Sequence, residues 1–183
     1  MNSVLDYIGS MITGGAVFVM MLTYYFNLSG TAIAQMFNAS TQEDLTSITE
    51  IFEYDVRKAG YGVTDSVAFA TADSNKISIR GDFDDNGTAD TVSYWLGATQ
   101  MPESTNPAAR ILYRKSGGTT VRLTPNAITQ FQVWYYDGSK ALTTDKKQIK
   151  FIRVAMNMEC KLSYDNQTAG EYWERVMKPQ NVR

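Results

Sequence analysis

Residues 7–42 contain no charged side chain, and this stretch constrains the fold more than any other part of the sequence. Its first part, YIGSMITGGAVFVMMLTYYFNL (residues 7–28), is long enough to cross the hydrocarbon core of a bilayer as a helix, for which about 20 apolar residues suffice. A cleaved signal peptide begins with basic residues and has a shorter apolar run. Nothing basic precedes this run, although Ala32 and Ala34 form an A-x-A pair. We therefore expect an anchor or assembly helix rather than a signal peptide.

Small residues crowd the first half of this run. Ser10 and Gly14 form a small-xxx-small pair, and Gly9, Thr13 and Gly15 lie beside them. Such residues let helices approach closely where the hydrophobic effect no longer drives their contact. The pattern predicts helix–helix assembly; the alternative is that a membrane helix simply tolerates small residues.

The helical pattern continues to Ala59 and becomes amphipathic. Its apolar residues recur at spacings of three and four, share one face, and are expected to hold the helix to a globular head. They are Leu45, Ile48, Phe52 and Val56. Gly60 and Gly62 predict the helix end. If unbroken from about Ser3, the helix has ~57 residues and is roughly 85 Å long. Bending or melting is expected at its interior glycines, which are Gly14, Gly15 and Gly30.

The sequence after residue 62 predicts antiparallel β-structure. KISIRGDFDDNGTADTVSYWL is typical of a hairpin with strands at 77–80 and 91–96, and RILYRKSGGTTVRLT of a second hairpin about Gly117 and Gly118. A strand precedes the turn at Asp137 and Gly138, and EYWERVM predicts an edge strand before Pro179. In IRVAMNMECKL, every second residue is apolar, and this alternation predicts that one set of side chains is buried. That set is Ile152, Val154, Met156, Met158, Cys160 and Leu162.

The predicted fold class is α+β. A long N-terminal α-helix, with an apolar stem that continues into an amphipathic half, packs on an antiparallel β-sheet head. We divide the chain into an apolar transmembrane or filament-core helix (1–28), an amphipathic helix that enters the head (29–62) and the β head (63–183).

Composition argues against two function classes. The 17 basic and 19 acidic residues nearly balance and form no basic cluster, so we expect no nucleic-acid partner. The chain has no histidine and one cysteine, Cys160, which removes the usual triads and zinc ligands, so we do not expect an enzyme. A carbohydrate-binding aromatic surface is a weaker hypothesis than core packing for one set of rings. These are Trp95, Trp134, Tyr135, Tyr136 and Trp173.

An acidic loop, DFDDNGTAD, matches the first nine positions of a calcium loop. Its candidate ligands are Asp82, Asp84, Asn86 and Asp90, which offer hard oxygen atoms at alternating positions. The twelfth position is Ser93 instead of a bidentate Glu, which predicts weak binding, although Asp85 could substitute. The alternative is a plain hairpin loop whose Asn-Gly supplies positive φ angles.

The chain resembles the type IV pilin-like superfamily, most closely its PilW-like minor pilins and J-type pseudopilins. The resemblance covers nearly the whole chain. It rests on the uncharged N-terminal run, on LTSITEIFEYDVRKAGYG, which is similar to the family's "DIRRAGYG" helix end, on the DFDDNGTADTVSYWL hairpin and on the closing ERVMKPQNVR.

The resemblance implies a structural subunit of an extracellular filament, made as a precursor inserted in the inner membrane and exported to the cell surface. Copies of the chain, or other pilin-like subunits, would pack through residues 4–26. The residues implied for this assembly are Val4, Leu5, Asp6, Ile8, Ser10, Ile12, Gly14, Phe18, Met21, Leu22 and Phe26. Family members usually carry Glu at mature position five, which pairs with a neighbour's terminal amine. This chain has Leu5 there, and Asp6 is the candidate for that role.

Two alternatives share the same helix. One is a membrane-anchored exported interaction domain, an adhesin or sensor that never polymerises. The other is a pseudopilin of a type II secretion system. Whether the subunit is major or minor, and whether residue 1 is the processed N-terminus, stays open at the sequence level.

Overall fold

One uninterrupted helix dominates the chain. The computed structural model describes residues 2–65, 67–164 and 167–182, and its first element is α1 (Asn2–Lys58), 57 residues long. The helix continues through Gly14, Gly15 and Gly30, so the prediction of melting at these positions is wrong. A single glycine costs a helix about 1 kcal/mol relative to alanine, too little to interrupt a cooperative hydrogen-bond ladder of this length.

Gly60 ends the helix as the sequence predicts. It has φ 83°, and its N–H donates to the carbonyl of Arg80 at 2.9 Å. Glycine adopts this left-handed conformation without steric cost. The chain therefore leaves α1 directly into contact with the head.

The head consists of two antiparallel sheets. The first contains five strands in chain order, which are β1 (Phe69–Ala72), β2 (Lys76–Gly81), β3 (Asp90–Leu96), β4 (Leu112–Ser116) and β5 (Thr119–Arg122). The second contains β6 (Ala127–Tyr136), β7 (Phe151–Tyr164) and β8 (Gln167–Met177). The predicted α+β class, with a long helix on an antiparallel head, is confirmed, and the head is divided into two sheets. The change of sheet follows Pro125, which has no N–H to continue a ladder from β5.

Both predicted hairpins are present. β2 pairs with β3 across the acidic loop, and β4 pairs with β5 about Gly117 and Gly118, which have φ 55° and 83°. The predicted edge strand is also present but longer, because β8 begins at Gln167. The short strand β1 was not predicted; FATA has no clear alternation of apolar and polar residues.

β7 follows the predicted alternation only in part. Ile152, Val154, Met156, Met158 and Cys160 are buried, whereas Leu162 is exposed. The register with β8 shifts between Glu159 and Ser163, and such an irregularity changes which side chains face the core. Ala155 alternates with the predicted buried set and is nevertheless buried as well.

Phe52 joins the helix to both sheets. Its ring lies 4.9 Å from that of Tyr94 on β3 and 6.1 Å from that of Phe131 on β6, both edge-on. All three side chains belong to one core cluster with the buried residues of α1, β2 and β7. The C-terminal part of α1 therefore fills the space between the two sheets.

Candidate assembly surface

The N-terminal part of α1 makes no core. Between residues 3 and 40 no side chain is buried, and we call this segment the stem. The large apolar residues of the predicted assembly set are all exposed there. They are Val4, Leu5, Ile8, Ile12, Phe18, Met21, Leu22 and Phe26. An exposed apolar surface of this extent marks contact with a membrane or with other proteins.

Four hydroxyl groups of the stem donate to carbonyl groups of the preceding helical turn, those of Ser10, Thr13, Thr23 and Thr31. Ser10 donates to the carbonyl of Asp6 at 2.8 Å, Thr13 to that of Gly9 and Thr23 to that of Val19, each at 2.9 Å. Such bonds let Ser and Thr enter an apolar environment without leaving a donor unpaired. The stem is therefore suited to surroundings that lack water.

The glycines of the stem offer an open surface. A Cβ atom added at Gly9, Gly14 or Gly15 would meet nothing within 4 Å. These positions are therefore not required for packing inside the chain, and a second helix can approach them.

Asp6 lies exposed within this apolar surface. Within the described part of the chain its carboxylate has no hydrogen-bond or ion-pair partner. A carboxylate in an apolar environment requires a compensating cation. The predicted pairing with a neighbour's amine is compatible with this position and stays a prediction.

α1 is long and apolar enough to cross a membrane, by length and composition alone. A core helix or a signal sequence passes the same criterion, but none of the apolar window in α1 is buried. Burial begins only at Thr41. Composition placed the boundary between the apolar helix and the amphipathic helix at residues 28 and 29. The helix stays unburied as far as residue 40, so the stem includes residues 29–40, although they are less apolar than the part before them.

The four residues expected to hold the stem to the head all lie in the core. Leu45 is 6 % exposed, and Ile48, Phe52 and Val56 are each 1 % exposed. The amphipathic periodicity therefore placed this face of α1 correctly.

A buried ion pair also anchors the helix, and sequence reasoning missed it. Asp55 is 1 % exposed and accepts hydrogen bonds from Arg114 of β4, with Nε at 2.8 Å and Nη2 at 3.2 Å. The Tyr94 hydroxyl donates to the same carboxylate. Burial raises the pKa of Tyr94 above its usual value, and the charge of Asp55 raises it further. The available signal was the position of Asp55 between Phe52 and Val56, on the apolar face.

Three further contacts between polar side chains tie α1 to loops and to β8. Asp44 accepts from Asn126 at 2.8 Å, in the segment between β5 and β6. Lys58 pairs with Asp85 of the acidic loop at 3.0 Å. Between Asp44 and Lys58 on α1, Glu53 pairs with Arg175 of β8. The helix is thus fixed along its whole buried length.

The acidic loop binds its own backbone. Asp82 is 3 % exposed, and its carboxylate accepts the N–H groups of Asn86 at 3.0 Å and Gly87 at 2.8 Å. Asn86 also donates to Asp84 through its side chain at 2.9 Å. Among the described residues, no three His, Cys, Asp or Glu side chains are grouped to hold a metal ion. Calcium binding by Asp82, Asp84, Asn86 and Asp90 stays a prediction.

The candidate sugar-binding aromatics do not form one surface. Tyr135 is buried, Trp173 packs against the core, and Trp95 of the first sheet stacks on Tyr113 at 5.7 Å. Trp134 lies under the guanidinium of Arg153 at 4.7 Å. Core and cross-strand packing accounts for these rings.

No family model, curated protein or solved structure is significantly similar to this chain. Geometry and chemistry must therefore carry the functional argument.

Proposed function

We propose that this protein is a structural subunit of a pilus-like extracellular filament, assembled through its stem. One observation carries the proposal: the same helix is unburied over residues 3–40, strongly apolar in the first part of that segment, and packed into the head from Thr41 onward. A stem of this kind is stable in a bilayer before assembly and among other stems afterwards. Neither role needs a catalytic group or a nucleic acid.

The partners proposed for the stem are copies of this chain, other pilin-like subunits, or both. Assembly would use the open surfaces at Ser10 and Gly14 and the apolar side chains around them. Asp6 would compensate a neighbour's terminal amine inside the filament core. Asp6→Asn should then lower filament yield, and Asp6→Glu should retain more of it.

A second candidate is a membrane-anchored exported domain that does not polymerise, because the length and apolarity of the stem equally suit a single membrane span. A secretion pseudopilin is a third, which would form only short assemblies. These differ from the leading proposal in where the chain is found.

Mechanical shearing of cells separates these candidates. Negative-stain electron microscopy of the sheared fraction, with mass spectrometry of its proteins, should show filaments that contain this chain. Filaments dominated by it indicate a major subunit, and trace amounts a minor or tip subunit. If the chain stays entirely with membranes and is absent from sheared material, the filament proposal fails and the anchor proposal stands.

Gly14→Leu tests the small-residue contact. The added side chain meets nothing within its own chain, so folding and membrane insertion should persist while filament yield falls. Ala16→Leu is the matched control, since Ala16 is also exposed but lies about 200° away around the helix, on the face opposite Gly14. Equal filament yields from the two variants and the original chain would contradict a role for Gly14.

For the acidic loop we infer a hairpin turn, with calcium as the alternative. The carboxylate of Asp82 already accepts two backbone N–H groups. Millimolar calcium should leave the melting temperature unchanged relative to a chelator. A rise in melting temperature that disappears in Asp84→Asn would instead establish a weak calcium site.

A further inference from the structure

A groove borders the exposed face of α1 on the side of the first sheet, and we call it the acidic groove. It lies between residues 50–54, the acidic loop and the β4–β5 turn, and encloses about 700 Å³. Its wall on α1 is apolar, because Ile51 is 41 % exposed and Tyr54 is 52 % exposed. Phe83 lines it from the acidic loop. The groove can therefore accept an apolar side chain.

The rim of the acidic groove is negative. Glu50, Asp84 and Asp90 line it, and within the described residues none of them forms an ion pair with a basic side chain. The basic groups beside them, Lys58 and Arg114, are already paired with other carboxylates of the chain. Three negative charges in the groove are thus uncompensated.

The connection between β6 and β7 (137–150), which we call the lysine loop, has the complementary properties. It carries four lysines and two aspartates, a net charge of +2. Lys140 and Lys147 are exposed and form no ion pair within the described residues. Between them lies Leu142, which at 69 % exposed is the most exposed large apolar side chain of the head among the described residues. The lysine loop thus presents an apolar side chain flanked by positive charges.

The acidic groove and the lysine loop lie at opposite edges of the first sheet. Lys146 of the loop donates to the carbonyl of Ala70 on β1, whereas the groove is bounded by the turn between β4 and β5. β1 and β5 are the two edge strands, four strand spacings or about 19 Å apart. The loop therefore does not reach the groove of its own chain, and each chain has one of each to offer its neighbours.

We propose that adjacent copies of this chain dock through their heads, with Leu142 of one copy in the acidic groove of the next and the lysines around it on the negative rim. Charge complementarity and the match between an exposed apolar side chain and an apolar groove support a second copy as the occupant. Because the two surfaces differ, the contact is heterologous, and such a contact repeats from copy to copy in an open assembly. The inference rests on the proposed filament function and identifies a contact outside the stem.

Disulfide cross-linking of the full chain in cells tests this contact. One chain carries Ile51→Cys and a differently tagged, co-expressed chain carries Leu142→Cys, so that only a bond between copies gives a mixed dimer. The native Cys160 is buried and should not react. The control pair replaces Leu142→Cys with Val176→Cys, which is 60 % exposed but pairs in register with Arg153, on the face of the second sheet opposite α1.

The expected result is a mixed dimer with Leu142→Cys and little with Val176→Cys in the sheared filaments. Filaments without the specific cross-link would overturn the groove contact and leave the filament proposal standing. The specific cross-link in membranes, with no filaments, would support the contact and reject the filament. If neither filaments nor the cross-link form, both proposals fail. Equal cross-linking of both pairs, or a bond from Ile51→Cys to a different protein in place of the mixed dimer, would also overturn the contact.

Charge reversal provides a second test in the same assay. Glu50→Lys in the first chain, or Lys140→Glu in the second, should alone lower the cross-link yield roughly three- to tenfold, because each places like charges opposite one another. Both changes together should restore much of the yield. Lys161→Glu, a reversal beside Asn126 and outside both surfaces, is the control and should change it little. Loss of yield without restoration when both changes are present would count against the proposed pairing.

Discussion

Asp55 is a charged residue on the buried face of α1, and its removal should test how the helix is anchored. Asp55→Ala leaves the guanidinium of Arg114, 22 % exposed, without its partner. Because Arg114 keeps some contact with water, we expect a loss of about 3 kcal/mol in the free energy of unfolding, at the lower end for broken buried pairs. Tyr94→Phe should cost about 1–2 kcal/mol, since it removes the hydrogen bond donated to Asp55 and the one accepted from Arg114 Nε at 3.0 Å.

Denaturant unfolding of the full chain in detergent micelles, followed by tryptophan fluorescence, measures both changes. Glu174→Gln, which disrupts the surface pair with Arg153, is the control and should shift the midpoint little. If Asp55→Ala cost no more than Tyr94→Phe, the buried ion pair would not be an anchor of the helix.

Substitutions at Gly60 and Gly87 distinguish two reasons why a side chain at positive φ destabilises the fold, which are backbone strain and steric clash. Gly60 has φ 83° and Gly87 has φ 85°, so alanine at either position pays a similar conformational penalty of about 1 kcal/mol. Only at Gly60 would the added Cβ also lie 2.6 Å from the carbonyl oxygen of Asn181. We expect Gly60→Ala to be clearly more destabilising than Gly87→Ala in the same unfolding measurement. Equal losses would mean that the C-terminal segment moves aside freely.

Individual site residues were only partly predictable. The apolar face of α1 followed from periodicity, which depends on local spacing. The Asp55–Arg114 pair joins residues 59 positions apart, and no local pattern encodes such a contact. For Asp82 the sequence showed ligand spacing, but only the folded loop shows that backbone N–H groups occupy its carboxylate.

At the level of the element, α1 should be sensitive to substitutions at its buried positions and tolerant of them at its exposed positions. Phe52 is 1 % exposed and its neighbour Ile51 is 41 % exposed, so they test a buried and an exposed position of the same turn. Phe52→Ala should lower the free energy of unfolding by about 3–5 kcal/mol through lost burial and a cavity between the sheets. Ile51→Ala should cost less than about 1 kcal/mol. Similar losses from both variants, measured by denaturant unfolding, would contradict the packing of α1.

Strands were predicted better than sheets. Hairpin turns at Gly117 and Gly118 are encoded locally, and so is the alternation along β7. The pairing of β6 with β7 crosses a 14-residue connection, 137–150, and depends on which core faces fit together. The separation into two sheets therefore depends on tertiary packing, in which the ring of Phe52 contacts residues of both sheets.

For the whole molecule, the distribution of burial predicts that head and stem are separable. No side chain from residue 3 to residue 40 is buried, so a chain that starts at residue 29 loses no core contact. We expect it to fold, to stay in solution without detergent, and to unfold within about 1 kcal/mol of the full chain, as is usual when only surface is removed. Circular dichroism, denaturant unfolding and size-exclusion chromatography measure these properties.

The same truncated chain tests whether assembly depends on the apolar part of the stem. Without residues 1–28 it should no longer enter membranes or filaments, because the large exposed apolar side chains from Val4 to Leu28 are gone. Aggregation in solution, or loss of helix signal from the remaining residues, would instead mean that residues 1–28 stabilise the head, contrary to the burial pattern.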